Sequence, residues 1–136
     1  AVRAALEASC VKQFSIRATF EQKTELVRVA HEIFKLAKSN CAVGEFLAIK
    51  KQFYEVLFAG ADNALSTGMI RAIHARASAL RATTLGTAGR MHSSARETLD
   101  IAEAILKGDT ESAIDQSHRH IAKAEALAQQ SLKVTM

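Results

Sequence analysis

The sequence predicts an all-α protein, an antiparallel bundle of about six helices, and three observations carry that prediction. The first is composition. No Pro and no Trp occur in 136 residues, and 49% are hydrophobic, a mixture that suits Ala- and Leu-rich helices and supplies no Pro to break them. The second is period: apolar side chains recur at helical spacing along most of the chain, with no sustained strand-like alternation. The third is a hinge. The stretch from Arg96 to Ile121 reads as two helices joined at Lys107-Gly108-Asp109. Gly108 tolerates the left-handed conformation that ends a helix, and the Asp109 carboxylate suits the free N–H groups at the start of the next.

Taken in order, residues 1–18 place Val2, Leu6, Cys10 and Phe14 at intervals of four, with Arg3, Glu7 and Lys12 on other faces, which predicts an amphipathic first helix. A second helix, about 20–38, has its main stripe at Leu26, Val29, Ala30, Ile33 and Ala37. A further stripe at Phe20, Val27 and Phe34 predicts cover on two sides, one of them a dimer contact, and Ser39-Asn40 ends the helix. The third helix, about 42–59, carries an apolar arc of Phe46, Leu47, Ile49, Phe53, Val56, Leu57 and Phe58. Gly60 to Asp62 is expected to form the turn. The fourth helix, about 63–82, has an inner stripe of Met69, Ile70, Ile73, Ala77 and Leu80, bordered by His74 and Arg81 on one side and Arg76 on the other. Residues 83–89, TTLGTAG, read as a loose connection before the two hinged helices, the last of which is expected to fray near Lys133.

Polar residues on the inward arcs mark the candidate site. Lys50 and Tyr54 fall inside the apolar arc of the third helix. A buried ammonium is costly unless an anion, a hydrogen-bond network or water compensates it. The bland reading has Lys50 snorkelling to a helix end or pairing with a core carboxylate, and the Tyr54 hydroxyl satisfied by backbone. Thr98 sits at the middle of the arc of Met91, Ile101, Ala102, Ile105 and Leu106, and His120 lies beside Ala113, Ser117, Ala124 and Leu127. Both therefore point inward, and the hinge brings their helices antiparallel.

Charge and cysteines bound the function. The net charge is +4, which assists contact with anions without implying nucleic acid. Residues 63–96 carry Arg71, Arg76, Arg81, Arg90 and Arg96 and no acid, but the spacing of five from Arg71 to Arg76 to Arg81 turns each by about 140° from the last, so they form no single DNA-facing stripe. Cys10 and Cys41 lack metal-type spacing and read as free thiols in a reducing compartment, the cytoplasm. No apolar run is long enough to span a membrane, and no signal peptide opens the chain. The chain starts at Ala1 inside a running helical pattern, so an upstream segment is expected.

Four ordered pieces of sequence carry a family resemblance. Arg3, Leu6 and Glu7 give R-x-x-L-E, Phe53 stands in the place of the F of a D-x-x-F-H motif, and Asn63 and Leu65 fall in an A-x-x-N-x-x-L region. Ala104 to Asp109 with Ala113 gives A-I-x-x-G-D-x-x-x-A, followed by His120. In these the chain resembles the FCD domain, the C-terminal effector-binding domain of the FadR subfamily of GntR-type bacterial transcriptional regulators. Such domains commonly hold a divalent metal in the bundle through one acid and three histidines, and a small organic acid binds at the metal. Carried over, the acid falls on Lys50 and the histidines on Tyr54, Thr98 and His120, so only His120 is retained as a ligand. One imidazole does not hold a transition metal, so no metal and no other cofactor is expected.

The resemblance implies a single domain over residues 1–136 that binds a small organic acid in its core and forms a homodimer. It would meet operator DNA only through an N-terminal winged helix-turn-helix that these residues do not contain, and it would have no membrane partner. The ligand-binding residues expected are Lys50, Tyr54, Thr98 and His120, with Arg81 and His74 placed for a second anionic group. Two other readings are weighed against this one. A dimerisation module with a degenerate pocket would bind no acid. A small helical-bundle enzyme acting on a carboxylate would need a base, and the sequence shows neither a carboxylate in the interior nor an orienting partner for His120.

Overall fold

A computed structural model of the chain describes residues 2–135, with side chains described through residue 132. The segment expected upstream of Ala1 lies outside the described residues. Those residues form α1 (Val2–Arg17), α2 (Phe20–Lys38), α3 (Val43–Ala61), α4 (Ala64–Arg76), α5 (Ser78–Leu85), α6 (Arg90–Leu106) and α7 (Thr110–Thr135). The all-helical prediction holds, with one helix more than expected.

Five helices close a circuit of contacts in the order α1, α3, α2, α6, α7 and back to α1, while α4 leans on α1 and α5 bridges α3 and α7. The stripe predicted for α2 is buried as a whole, from Leu26 through Ala37, and faces Phe46, Phe53 and Leu57 of α3 and Leu99, Ala102 and Ile105 of α6 across the core. Local signals set the ends. Thr19 and Gln22 form a reciprocal capping box at the start of α2, which satisfies two otherwise free N–H groups. Gly108 turns at φ 81° and Asp109 Oδ1 accepts from Ser112 N at 3.2 Å, as the hinge reading requires.

The departures have physical causes. On α1, Glu7 is buried and only 3% exposed, whereas Val2, given an inward position, is 67% exposed. The intervals-of-four stripe lies at the edge of the true face, and Glu7 turns inward because the core offers it partners. Gly60 lies inside α3 rather than in a turn. A Cβ there would stand 2.4 Å from two ring carbons of Phe14, so the glycine exists for the close crossing of α1 and α3. The turn falls at Asp62, which is left-handed at φ 51°, and Arg17 Nη1 covers the carbonyls of Ala61 and Asp62, each at 3.0 Å.

The predicted helix 63–82 is two helices. It breaks at Ala77 (φ −95°, ψ 2°), and the second part continues through Thr84 and Leu85 into the stretch expected to be loose, leaving residues 86–89 as the connection. Arg76, Ala77 and Ser78 are tolerable helix residues, so packing of α5 against α3 and α7 makes the break rather than local propensity. The result exposes Met69 of the predicted inner stripe and swings Leu80, Arg81 and Thr84 over the core. α7 continues to Thr135, past the fraying expected near Lys133.

Candidate functional site

α1, α3, α5, α6 and α7 surround a cavity of about 240 Å³. Its apolar wall includes Phe46, Leu80, Leu85, Ala124 and Ala128, and its polar wall Arg3, Lys50, Tyr54, Arg81, Arg90, Ser94, His120 and Glu125. Of the six residues expected to bind ligand, Lys50, Tyr54, Arg81 and His120 line it. Thr98 and His74 do not.

Lys50 is 4% exposed, and its Nζ donates to Thr98 Oγ1 at 2.9 Å, while Thr98 Oγ1 donates in turn to Ser94 O at 2.8 Å. It neither snorkels nor pairs with a core carboxylate; its nearest aromatic faces are Tyr54 and Phe53, at 5.6 and 6.0 Å. Burial, then the charges of Arg81, Arg3 and Arg90, push the ammonium down to about 7 against the opposing pull of Glu7. Thr98, itself 1% exposed, has both hydroxyl functions engaged and acts by fixing Lys50.

The interior contains a carboxylate after all. Glu7 accepts from Tyr54 OH at 2.6 Å and from Arg3 Nε at 2.7 Å, and His74 Nε2 lies 3.3 Å from its other edge. Burial works to raise its carboxyl, but His74, Arg3 and Tyr54 outweigh that and hold it well below the usual range. The Tyr54 hydroxyl is thus satisfied by Glu7, not by backbone. His74 stacks edge-on to Tyr54 with centroids 4.5 Å apart and opens onto a neighbouring groove between α3 and α4, whose wall shares Tyr54 and Arg81 with the cavity.

His120 also has the orienting partner that the sequence did not show. Its Nδ1 lies 2.5 Å from Glu97 Oε1, and Glu97 Oε2 accepts from Arg90 Nη1 at 3.0 Å and faces Lys123 Nζ at 3.4 Å. Burial, then Lys50, push the imidazole down to about 4; burial works to raise Glu97, but His120 and Arg90 bring its carboxyl to about 2. At neutral pH the ring is therefore uncharged and donates its Nδ1–H to Glu97 in a hydrogen bond, which leaves Nε2 as an acceptor. The sequence could have yielded both pairs: Arg3 and Glu7 stand one turn apart, and Arg90 and Glu97 two turns apart on one face.

With Arg3 held by Glu7 and Arg90 by Glu97, two cations in the wall have no counter-ion. They are Lys50 and Arg81, and among the described residues Arg81 makes no hydrogen bond or ion pair. The sequence of residues 1–123 matches the family model of the FCD domain. The chain belongs to the FCD domain family. FCD domains are regulatory effector-binding domains. No curated protein and no solved structure matches the chain.

The metal that the FCD resemblance implies does not fit these residues. Lys50 and Thr98 bond each other where ligands would converge, Tyr54 is engaged by Glu7, and His120 spends Nδ1 on Glu97. Among the described residues no group of three or more His, Cys, Asp and Glu side chains is placed to hold a metal ion. An ammonium at the centre of the set repels a dication, and a single imidazole is short of the three or four donors such ions need. Cys10 and Cys41 are free thiols, and no helix of the described residues is long and apolar enough to cross a membrane.

Proposed function

We propose that this FCD domain senses a small organic acid whose carboxylate is held between Lys50 and Arg81. One observation carries the reading: a buried ammonium with only a hydroxyl for partner stands on the wall of a cavity that contains a second uncompensated cation. Such an arrangement is costly when empty and favourable once an anion enters. Arg3 and Arg90, already neutralised, shape the wall, and Tyr54, Thr98 and His74 support the residues around it rather than meeting the acid.

In this reading residues 1–136 form one domain of a bacterial, cytoplasmic regulator that works as a homodimer and reaches operator DNA through a domain elsewhere in the protein. Effector binding shifts how the dimer holds its DNA-binding domains, which requires a differential affinity for two arrangements. Support for the dimer is the stripe on α2: Phe20 is 74% exposed, although Val27 and Phe34 pack partly on their own core.

Thermal unfolding with a panel of C2 to C8 mono- and dicarboxylates, followed by calorimetry, tests the proposal. At about 100 times the dissociation constant an effector adds roughly 2.7 kcal/mol of stability. The expected result is a saturable rise in melting temperature without turnover, lost when Lys50 is replaced. Absence of any shift across the panel leaves the reading of a dimerisation module with a degenerate pocket, and turnover leaves an enzyme.

A further inference from the structure

The cavity wall holds acceptors as well as cations. Glu125 of α7 lines the cavity and makes no hydrogen bond or ion pair among the described residues, and its Oε1 is sealed from solvent with no partner among them. Sealed polar atoms in folded proteins are nearly always hydrogen-bonded, so an exception marks a place where a donor is missing. His120, on the same helix and the same wall, keeps its Nε2 as a second acceptor because its Nδ1–H donates to Glu97. Arg81 and Lys50 supply the opposite charge on α5 and α3.

A plain carboxylic acid answers only half of this wall. Its carboxylate satisfies Lys50 and Arg81 but brings a second anion into the cavity beside Glu125 and offers nothing to either acceptor. We propose that the ligand is a zwitterion, a short aliphatic amino acid. Its carboxylate meets Lys50 and Arg81, its ammonium meets the Glu125 carboxylate and His120 Nε2, and its side chain lies against Phe46, Leu80 and Leu85. The volume of about 240 Å³ lies just below the roughly 300–1,000 Å³ of pockets for drug-sized ligands, which suits a smaller molecule. This inference rests on the organic-acid reading of the cavity and narrows it to a chemical class. Selectivity follows from the wall itself, because a ligand lacking the ammonium leaves buried acceptors unpaired.

Calorimetry on the wild type and on Glu125→Gln separates the possibilities, with alanine, valine, norvaline and leucine tested beside the 2-hydroxy acid and the unsubstituted acid of each skeleton. The expected result is that at least one amino acid binds the wild type about tenfold or more tightly than its unsubstituted counterpart. In Glu125→Gln most of that preference disappears, and the unsubstituted acid binds more tightly than before because an anion has left the wall. Binding of that acid also reports that the variant is folded. Equal or tighter binding of the unsubstituted or hydroxy acids by the wild type would overturn the inference while leaving the organic-acid reading intact, as would a preference that survives in Glu125→Gln. Failure of all three series to bind either protein would sink the organic-acid reading and this inference with it.

Discussion

Replacing Lys50 by Met separates what the ammonium costs the fold from what it gives the ligand. Met has a similar length and no charge, so the cavity wall keeps its shape. The Thr98 hydroxyl still donates to Ser94 O, so the change strands no buried donor. In the wild type the Lys50 ammonium is pushed down to about 7 in the folded chain, below its unfolded value. The folded chain therefore releases the proton first. The destabilisation is full below pH 7, shrinks as pH rises through the window between about 7 and 10.4, and is absent above it. Replacing buried ions with apolar groups typically gains about 1–4 kcal/mol, and that is the gain expected at pH 7. For a domain of this size it raises the melting temperature by roughly 4 °C per kcal/mol. Binding moves the other way. Losing a buried charge-assisted contact costs about 2–5 kcal/mol, or roughly 30-fold to several-thousand-fold in affinity. Urea unfolding at pH 7 and pH 10, with calorimetry using the tightest acid from the panel, reads both effects. A variant that is less stable than wild type at pH 7, or that binds the acid equally well, would refute the reasoning: in the first case the ammonium is not an uncompensated charge, and in the second it is not the anchor.

Four further outcomes follow from the same geometry. Gly60→Ala drives a Cβ to 2.4 Å from the Phe14 ring, which is fully buried and cannot retreat, so urea unfolding should show a loss of about 1–3 kcal/mol; a neutral result would mean the α1–α3 crossing is looser than described. Glu7→Gln leaves Arg3 facing an uncharged partner and should cost about 3–5 kcal/mol at pH 7. Because the Glu7 carboxyl is held below its usual range, its contribution is present above about pH 4.5 and lost as pH falls further, so the variant should show a flatter acid-unfolding profile than wild type; parallel profiles would count against Glu7 as the buried charge. Elemental analysis of untagged, unchelated protein should find well under one transition metal per chain, and about one tightly held ion would contradict the donor-set argument. Finally, an incoming carboxylate restores the proton on Lys50, so binding at pH 8 should take up protons and weaken as pH rises above 7; calorimetric enthalpies that do not depend on the buffer's ionisation enthalpy would exclude this linkage.

Periodicity made most of the fold legible, because a helix that buries one face must repeat its apolar residues at 3.6. The α2 stripe, the inward turn of Lys50, Tyr54, Thr98 and His120, and the Gly108-Asp109 hinge all follow from residues within a turn or two of one another. What periodicity could not reach depends on partners far along the chain. Glu7 is polar and sits at the edge of its own stripe; beside Arg3, its burial depends on Tyr54, 47 residues away, and His74, 67 away. The break at Ala77 has no local cause, and with it went the placement of His74, which the continuous helix would have set beside Arg81. Gly60 looked like a turn residue because glycine has two uses, left-handed backbone and close approach, and only the position of Phe14 decides between them.

The wall of the cavity is built on one device used twice. Glu7 takes the charge of Arg3 and a contact from His74, and Glu97 takes the charge of Arg90 and accepts a hydrogen bond from His120. Each carboxylate fixes a guanidinium and an imidazole, and neither lines the cavity itself. Fixed, neutralised pairs contribute shape but little net field, so the field inside is left to the groups that have no counter-ion among the described residues: Lys50 and Arg81 against Glu125. The residues at the positions where the FCD resemblance implies metal ligands therefore do more than lack donors. A dication would have had to draw its ligands out of these pairs, whereas a single ammonium anchored on Thr98 needs only one hydroxyl and leaves both pairs intact. In the proposed reading the same bundle attracts an anion with a covalently attached charge in place of a bound one, and its affinity follows the protonation of Lys50 instead of the supply of metal.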